Sequence, residues 1–229
     1  VVPDLLETWA IVVAAGEGRR LGGDRPKAFV GFGGRVLLAH SVELLERHPA
    51  VDAIVLVVPA GWEEAATLVA EELAAGKVRA AVAGGPSRSQ SVLAGLQEVD
   101  PRAAVIVVHD AARPLADDEL LTRVLEGLAG GADGVVPALP VSDTIKRVRN
   151  GTVAETLDRS ELRAVQTPQA FLAAALRAAY ERGAEDLAAA TDCAGLVESA
   201  GMTVTVVDGS PGNVKLTGPV DLRLAEALL

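Results

Sequence analysis

Cysteine, aromatic residues and positive charge are all scarce in this chain of 229 residues. Cys193 is the only cysteine, so no intrachain disulfide can form and the framework of a small secreted scaffold is excluded. Phenylalanine, tryptophan and tyrosine make up 3% of the residues while half are hydrophobic, so the core must be built from aliphatic side chains. Lysine and arginine number 21 against 31 acidic residues, a formal net charge of −10. That balance excludes a general nucleic-acid binder, which needs a basic face. No apolar run reaches the roughly 20 residues of a membrane span, so no membrane partner is expected. The first nine residues, VVPDLLETW, are acidic where a signal peptide is basic, and a cytoplasmic protein is expected. Repeats and low-complexity tracts are also missing. The length suits a single domain spanning 1–229.

What is present centres on WAIVVAAGEGRRLGGDRPK at 9–27. The apolar run Ile11–Ala15 predicts a strand buried on both faces. It empties into Gly16-x-Gly18-x-Arg20-x-Gly22, closed by Pro26-Lys27. Glycines let backbone N–H groups approach phosphate oxygens, and Arg20 and Lys27 add two cations. The Gly-Lys-Ser/Thr of a P-loop is absent. Leu21 stands where the dinucleotide fingerprint needs its third glycine. The loop therefore reads as a nucleoside triphosphate site of another type. In an acidic chain, cations clustered at one cleft answer the need of an anionic substrate that is otherwise repelled.

Strands are predicted at Ala53–Val58, Val78–Ala83, Ala103–His109 and Gly134–Leu139. Between them lie helices at Val36–Arg47, Trp62–Ala75, Ser87–Val99 and Asp117–Ala129, with Ser87 or Ser89 placed to cap the third. This alternation implies right-handed crossovers: one three-layer α/β/α domain with a mostly parallel, Rossmann-like twisted sheet. Ligands bind beyond the C-terminal ends of such strands. The loops carrying Arg20 and Lys27, Gly84-Gly85, and Asp110 with Arg113 should therefore border one cleft. Residues 141–167 break the rhythm, with an arm expected at about 141–161. Thr144–Val148 and Val153–Leu157 flank Asn150-Gly151, which predicts a protruding β-hairpin arm. Two strands alone are marginal, so the arm needs something to pack on, and a second subunit is one candidate. A strand at Leu162–Gln166, helices at Phe171–Glu181 and Leu187–Ala200, a strand at Thr203–Val207 and a helix at Leu222–Leu228 complete the chain.

Asp110, just past a buried strand, can hold a divalent cation beside triphosphate oxygens, or it can simply cap a turn. Arg113 in the same turn could position it by a paired hydrogen bond. Gly84, Gly85 and Ser91 offer backbone groups and a hydroxyl to a pyrimidine edge, compatibly with a capped helix start. Lys146, Arg147 and Arg149 read as solvated charges that keep a ribbon edge from pairing. Lys215 follows a Gly-Ser-Pro-Gly loop and reads as a ligand or a surface lysine. Cys193 reads as a small buried apolar residue.

Four strings occur together: AAGEGRRLGGDRPK at 14–27, GGPSRSQSV at 84–92, HDAARP at 109–114, and SDTIK with LRAVQTPQAF at 142–146 and 162–171. With Lys215, this set resembles the 2-C-methyl-D-erythritol 4-phosphate cytidylyltransferase family, within the nucleotidyltransferases. The resemblance spans nearly the whole chain, and HDAARP with VQTPQ is more specific than the glycine loop. It implies cytidylyl transfer from CTP to the polyol phosphate with release of pyrophosphate, assisted by Mg²⁺ or another divalent cation, without a covalent intermediate. It implies Arg20, Lys27 and Lys215 as catalytic cations. Ala14, Ala15, Gly16, Gly18, Gly84, Gly85, Ser91, Asp110 and Ala111 are implied as nucleotide-binding, with Asp110 also the metal ligand. Arg113, Thr144, Arg159, Thr167 and Thr191 are implied at the polyol phosphate. The arm is implied to join a homodimer, placing Thr144 and Arg159 in the neighbouring subunit's site. A ribitol 5-phosphate cytidylyltransferase and a non-catalytic nucleotide sensor are the alternatives.

Overall fold

The computed structural model describes residues 7–16, 25–181, 187 and 190–229. Alternating burial along the strands sets its architecture. In β1 (Thr8–Val13), Ala10 and Val12 enter one core cluster and Trp9 and Ile11 another, and all four are buried. β4 (Ala53–Val58) and β6 (Val105–Asp110) repeat the division, with Leu56 and Val107 on the first side and Val55 and Ile106 on the second. These strands are continuous apolar runs because both faces are covered. On the first side pack α1 (Leu37–Arg47), α2 (Glu63–Glu72) and α4 (Asp118–Gly127), through Leu38, Ala66 and Val124. On the second pack α3 (Arg88–Glu98), α5 (Ala173–Tyr180) and α6 (Cys193–Ser199), through Leu96, Leu176 and Val197. The expected three-layer α/β/α domain is what forms.

The main sheet also contains β5 (Val78–Ala83), β7 (Gly134–Pro140), β10 (Arg163–Val165), β11 (Gln169–Leu172) and β12 (Val204–Asp208). Its order is β10-β7-β11-β6-β1-β4-β5, with β12 paired to β7. β1 runs parallel to β4 and β6, β4 to β5, and β12 to β7; β10 and β11 run antiparallel to their neighbours. β10 and β11 both pair with β7, interrupted by Gln166-Thr167-Pro168, where the Thr167–Pro168 peptide is cis. Off the sheet lie a short pair, β2 (Gly31–Phe32) with β3 (Arg35–Val36), and the C-terminal α7 (Pro219–Glu226).

The arm forms as β8 (Lys146–Arg149) and β9 (Thr152–Thr156), and both strands are exposed throughout. Asn150 and Gly151 take positive φ of 50° and 76°, the backbone that an Asn-Gly hairpin turn requires. Lys146 and Arg147 meet Thr156 and Glu155 across the ribbon at 2.6 Å. Among the described residues, no helix is long and apolar enough to cross a membrane.

Two sequence expectations are corrected. The helix expected from Phe171 begins at Ala173, because Gln169–Leu172 is a strand between β6 and β7. Ala170 and Phe171 are buried there, and the slot between two strands overrides local helical periodicity. The helix expected to run unbroken over Leu187–Ala200 is interrupted: Leu187 is helical, and α6 covers Cys193–Ser199. Thr191 and Asp192 form a bend, and Asp192 caps α6 by accepting the Gly195 N–H at 2.9 Å.

Candidate active site

The C-terminal ends of β1, β5 and β6 open onto one cavity of about 650 Å³, within the size range of ligand sites. Its described walls include Ala14, Ala15 and Gly16 after β1, Lys27 and Ala28, Gly85 to Arg88 with Ser91, Asp110 to Ala112, and Lys215 with Thr217. The rule that placed ligands beyond the strand ends thus brings three sequence-distant loops together.

Each wall has a local cause. Lys27 starts a 3-10 turn, Lys27–Phe29, whose Ala28 and Phe29 are buried, and Phe29 stacks on Trp62 with centroids 4.6 Å apart. The turn's backbone is closed by bonds from the Phe29 N–H to Pro26 and from the Val30 N–H to Lys27. Gly84 faces Ala15: a Cβ at 84 would lie 2.3 Å from the Ala15 Cβ and 2.8 Å from Ser91 Oγ. Only glycine lets the loops after β1 and β5 approach so closely. Ser87 caps α3, accepting the Gln90 N–H. The Ser91 hydroxyl lies within donating reach of the carbonyls of Ser87 at 2.9 Å and Gly85 at 3.2 Å, which ties the glycine loop to the helix.

Asp110 is the electrostatic centre. It is 6% exposed. Arg88 Nε donates to its Oδ1 at 2.9 Å, with Nη2 2.8 Å from the same oxygen, and Lys215 Nζ donates to Oδ2 at 2.6 Å. Burial pushes the carboxyl pKa up, but the two cations outweigh it and hold the group well below the usual carboxylate range. Around the described cavity wall, Lys27, Arg88 and Lys215 stand against this single carboxylate. The site is cationic within an acidic chain.

Several expected site residues lie elsewhere. Gly18 and Arg20 fall outside the described residues. Arg113 does not position Asp110: Nη1 donates to the Asn213 carbonyl at 2.7 Å and Nη2 to the Val165 carbonyl at 3.3 Å. Arg88, which entered the sequence analysis only within the string GGPSRSQSV, makes that contact instead. Its signal was a cation beside the capping serine of a helix facing the cleft. Thr167 sits behind the cavity wall at 4% exposure. Its hydroxyl accepts the Asp110 N–H at 3.0 Å and lies 3.2 Å from His109 Nδ1. Thr144 and Arg159 are exposed in the arm region, away from this cavity, and the Arg159 guanidinium donates to the Ser142 carbonyl. Thr191 is exposed on the bend before α6.

His109 beneath Asp110 is fully buried, and burial pulls its pKa down from 6.5 to about 4. A histidine that stays neutral when folded but takes a proton near 6.5 when unfolded makes the unfolded state bind more protons between those values. Stability is therefore expected to fall as pH drops from 6.5 to 4, by up to about 3 kcal/mol from this group. Urea unfolding at pH 7 and 4.5 checks it: the loss should be clearly smaller in His109→Gln, and equal losses in both proteins would remove this role.

Comparison with known proteins shows the family. The family model described as "IspD: 2-C-methyl-D-erythritol 4-phosphate cytidylyltransferase" matches residues 8–229. The chain is 49% identical over 222 residues to the 2-C-methyl-D-erythritol 4-phosphate cytidylyltransferase of Rhodococcus jostii, covering 96% of this chain and 94% of that protein. Among solved structures, the 4-diphosphocytidyl-2C-methyl-D-erythritol synthase of Anaerococcus prevotii superposes with a TM-score of 0.84 at 30% identity, over 97% of this chain and 96% of the other. The 2-C-methyl-D-erythritol 4-phosphate cytidylyltransferase of Thermus thermophilus gives 0.77 at 33%, over 97% and 98%. With its glycine-lined cavity, its paired Asp110 and a match of this extent, the chain belongs to the 2-C-methyl-D-erythritol 4-phosphate cytidylyltransferase family.

Proposed function

We propose that the cavity beyond β1, β5 and β6 is where the family's reaction takes place, with Lys27 and Lys215 as its described catalytic cations and Arg20 as a third. The reaction is cytidylyl transfer from CTP to 2-C-methyl-D-erythritol 4-phosphate, giving 4-diphosphocytidyl-2-C-methyl-D-erythritol and pyrophosphate, a step of non-mevalonate isoprenoid synthesis. The observation that carries the site assignment is that Lys27 and Lys215, far apart in sequence, line one nucleotide-sized cavity with Asp110.

The substrate phosphate is ionised near neutral pH, so no general base is required. One of its oxygens bonds to the α-phosphorus of CTP as the bond from that phosphorus to the β-bridging oxygen breaks, and pyrophosphate leaves with the electron pair. Two anions that repel each other must be held in line, and charge building on the phosphorus must be matched by cations that are already in place. Lys27 and Lys215 do this work. Ala14, Ala15, Gly16 and Ala111 line the nucleotide's side of the cavity, and Gly84, Gly85 and Ser91 read cytosine through the tied loop. Arg113, Thr144, Arg159, Thr167 and Thr191 serve the polyol phosphate, Thr167 indirectly through the Asp110 backbone.

Mg²⁺ fits at Asp110. Among the described residues no cluster of three or more His, Cys, Asp or Glu could hold a metal. Asp110 would therefore share the ion with triphosphate oxygens and water, the usual arrangement for this metal, and Oδ2, with one bond to Lys215, has a lone pair to spare. When bound, the ion would neutralise phosphate charge and favour departure of pyrophosphate.

A substrate panel tests the reading. Pyrophosphate release is measured with CTP and UTP against methylerythritol, ribitol and sugar phosphates, with the CTP–methylerythritol phosphate pair expected fastest. Comparable turnover of ribitol phosphate would reverse the acceptor assignment. Silence with every acceptor despite CTP binding would favour a nucleotide sensor.

The arm, at 141–161, is proposed to join two subunits and so carry Thr144 and Arg159 to the neighbouring site. What supports this is Val148 opposite Val153, exposed at 55% and 56% on a ribbon with no core of its own. Deleting Asp143–Leu157 should convert a dimer into monomers on size exclusion, and a deletion variant that still elutes as a dimer rejects the idea.

A further inference from the structure

Gln166, the first glutamine of VQTPQ, lies outside the cavity wall, and nothing in the reaction above uses it. It is 5% exposed, yet its carboxamide is fully engaged with one loop. Oε1 accepts the Ser210 N–H at 3.0 Å and Asn213 Nδ2 at 3.4 Å. Nε2 donates to the Ser210 carbonyl at 2.9 Å and the Asn213 carbonyl at 3.3 Å. An amide has two donor hydrogens and two acceptor lone pairs, and all four positions are filled. Gly209 permits the approach, since a Cβ there would lie 2.7 Å from Gln166 Oε1.

The loop so gripped is the one from which Lys215 emerges. Asn213, fully buried, extends the grip: its Nδ2 donates to the Thr167 carbonyl at 2.8 Å, and its own carbonyl accepts Arg113 Nη1. The Gln166 backbone N–H donates to the Pro137 carbonyl at 2.7 Å, which anchors the residue to the sheet. A turn rich in glycine and proline has no ladder of its own to set its shape, and a satisfied buried amide supplies a rigid one.

We infer that Gln166 is a positioning residue for Lys215, shaping the turn 209–214 so that the ammonium group meets Asp110 and the triphosphate in the cavity. The inference rests on the role proposed for Lys215 and adds the residue that holds it in place. A catalytic group misplaced by about 1 Å can lose about a hundredfold in rate.

Gln166→Glu keeps the size but sets a carboxylate oxygen against two carbonyls, so the turn must shift. Its kcat is expected to fall about tenfold, with KM for CTP changed less than about threefold. In a Lys215→Ala background the same substitution should alter kcat less than about twofold, because the group it acts through is gone. Gln166→Met, with no hydrogen-bonding end, runs the same cycle if the glutamate variant does not accumulate folded, as judged by circular dichroism. An equal loss in both backgrounds, or no loss in either, overturns the inference. If Lys215→Ala alone leaves turnover intact, the role proposed for Lys215 fails, and the inference with it.

Discussion

Asp110→Asn is expected to lower kcat by about a thousandfold and to destabilise the fold by about 3 kcal/mol. Asparagine matches the shape of aspartate, so the change removes the charge and turns one acceptor oxygen into an NH2 donor that faces a cation. Oδ1 now serves the Arg88 guanidinium and Oδ2 the Lys215 ammonium. Without the negative charge, two cations face each other across a buried neutral group. Breaking a buried pair on one side costs more than the pair contributes, because the remaining charge stays desolvated. The figure sits at the low end of that range because Lys215 keeps 42% of its side chain exposed and water relieves part of the repulsion. On the proposed function, turnover suffers on two counts: Lys215 loses the partner that orients it, and a divalent ion held at Asp110 would lose its protein ligand. Pyrophosphate release and urea unfolding at pH 7 measure the two effects. A variant within about threefold of the parent in kcat would show that the carboxylate is structural only.

Lys27→Ala is expected to reduce kcat about a hundredfold or more while leaving the fold intact. The two effects separate because the turn is held by its backbone and by its buried neighbours, while the ammonium stands in the cavity wall. The backbone of 27–29 is closed by its own hydrogen bonds, and Ala28 and Phe29 bury the turn. Truncating residue 27 beyond Cβ removes the ammonium from the cavity wall and leaves those contacts in place. The thermal midpoint should hardly move. Near-normal turnover would remove Lys27 from the reaction, and a large loss of stability would mean that its side chain supports the turn. Lys27→Arg keeps the charge but spreads it over a planar fork, so its kcat should fall between the two.

Elements whose own pattern was strong could be read before the fold was known. Ala53–Val58 and Val78–Ala83 are strands over the residues expected, and α1 ends at Arg47 as its spacing and Pro49 require. Asn150-Gly151 makes its hairpin, a turn set by two residues' φ angles. Ser87, one of the two serines placed to cap α3, does so by accepting the Gln90 N–H. The strand Gln169–Leu172 was missed because its conformation is set by β6 and β7 on either side, whose paired residues lie 35 or more positions away in sequence. The pairing of Asp110 was misassigned for a related reason. Arg113, three residues along, looked like the natural partner, but the turn points its guanidinium at Asn213 and leaves Arg88, the first residue of α3, to take the carboxylate.

By itself, the sequence determined that this is a parallel-rich α/β domain with glycine-rich loops and cations at one rim of its sheet, because apolar periodicity, glycine punctuation and capping residues act within a few positions of where they stand. It also carried the family, since that rests on motif strings and needs no coordinates. Only the tertiary structure decided which charges meet. Lys215 reaches Asp110 across 105 positions, and Gln166 grips a turn 44 positions away. Such contacts depend on the sheet bringing loop ends to one edge, and on side-chain directions that no local pattern encodes.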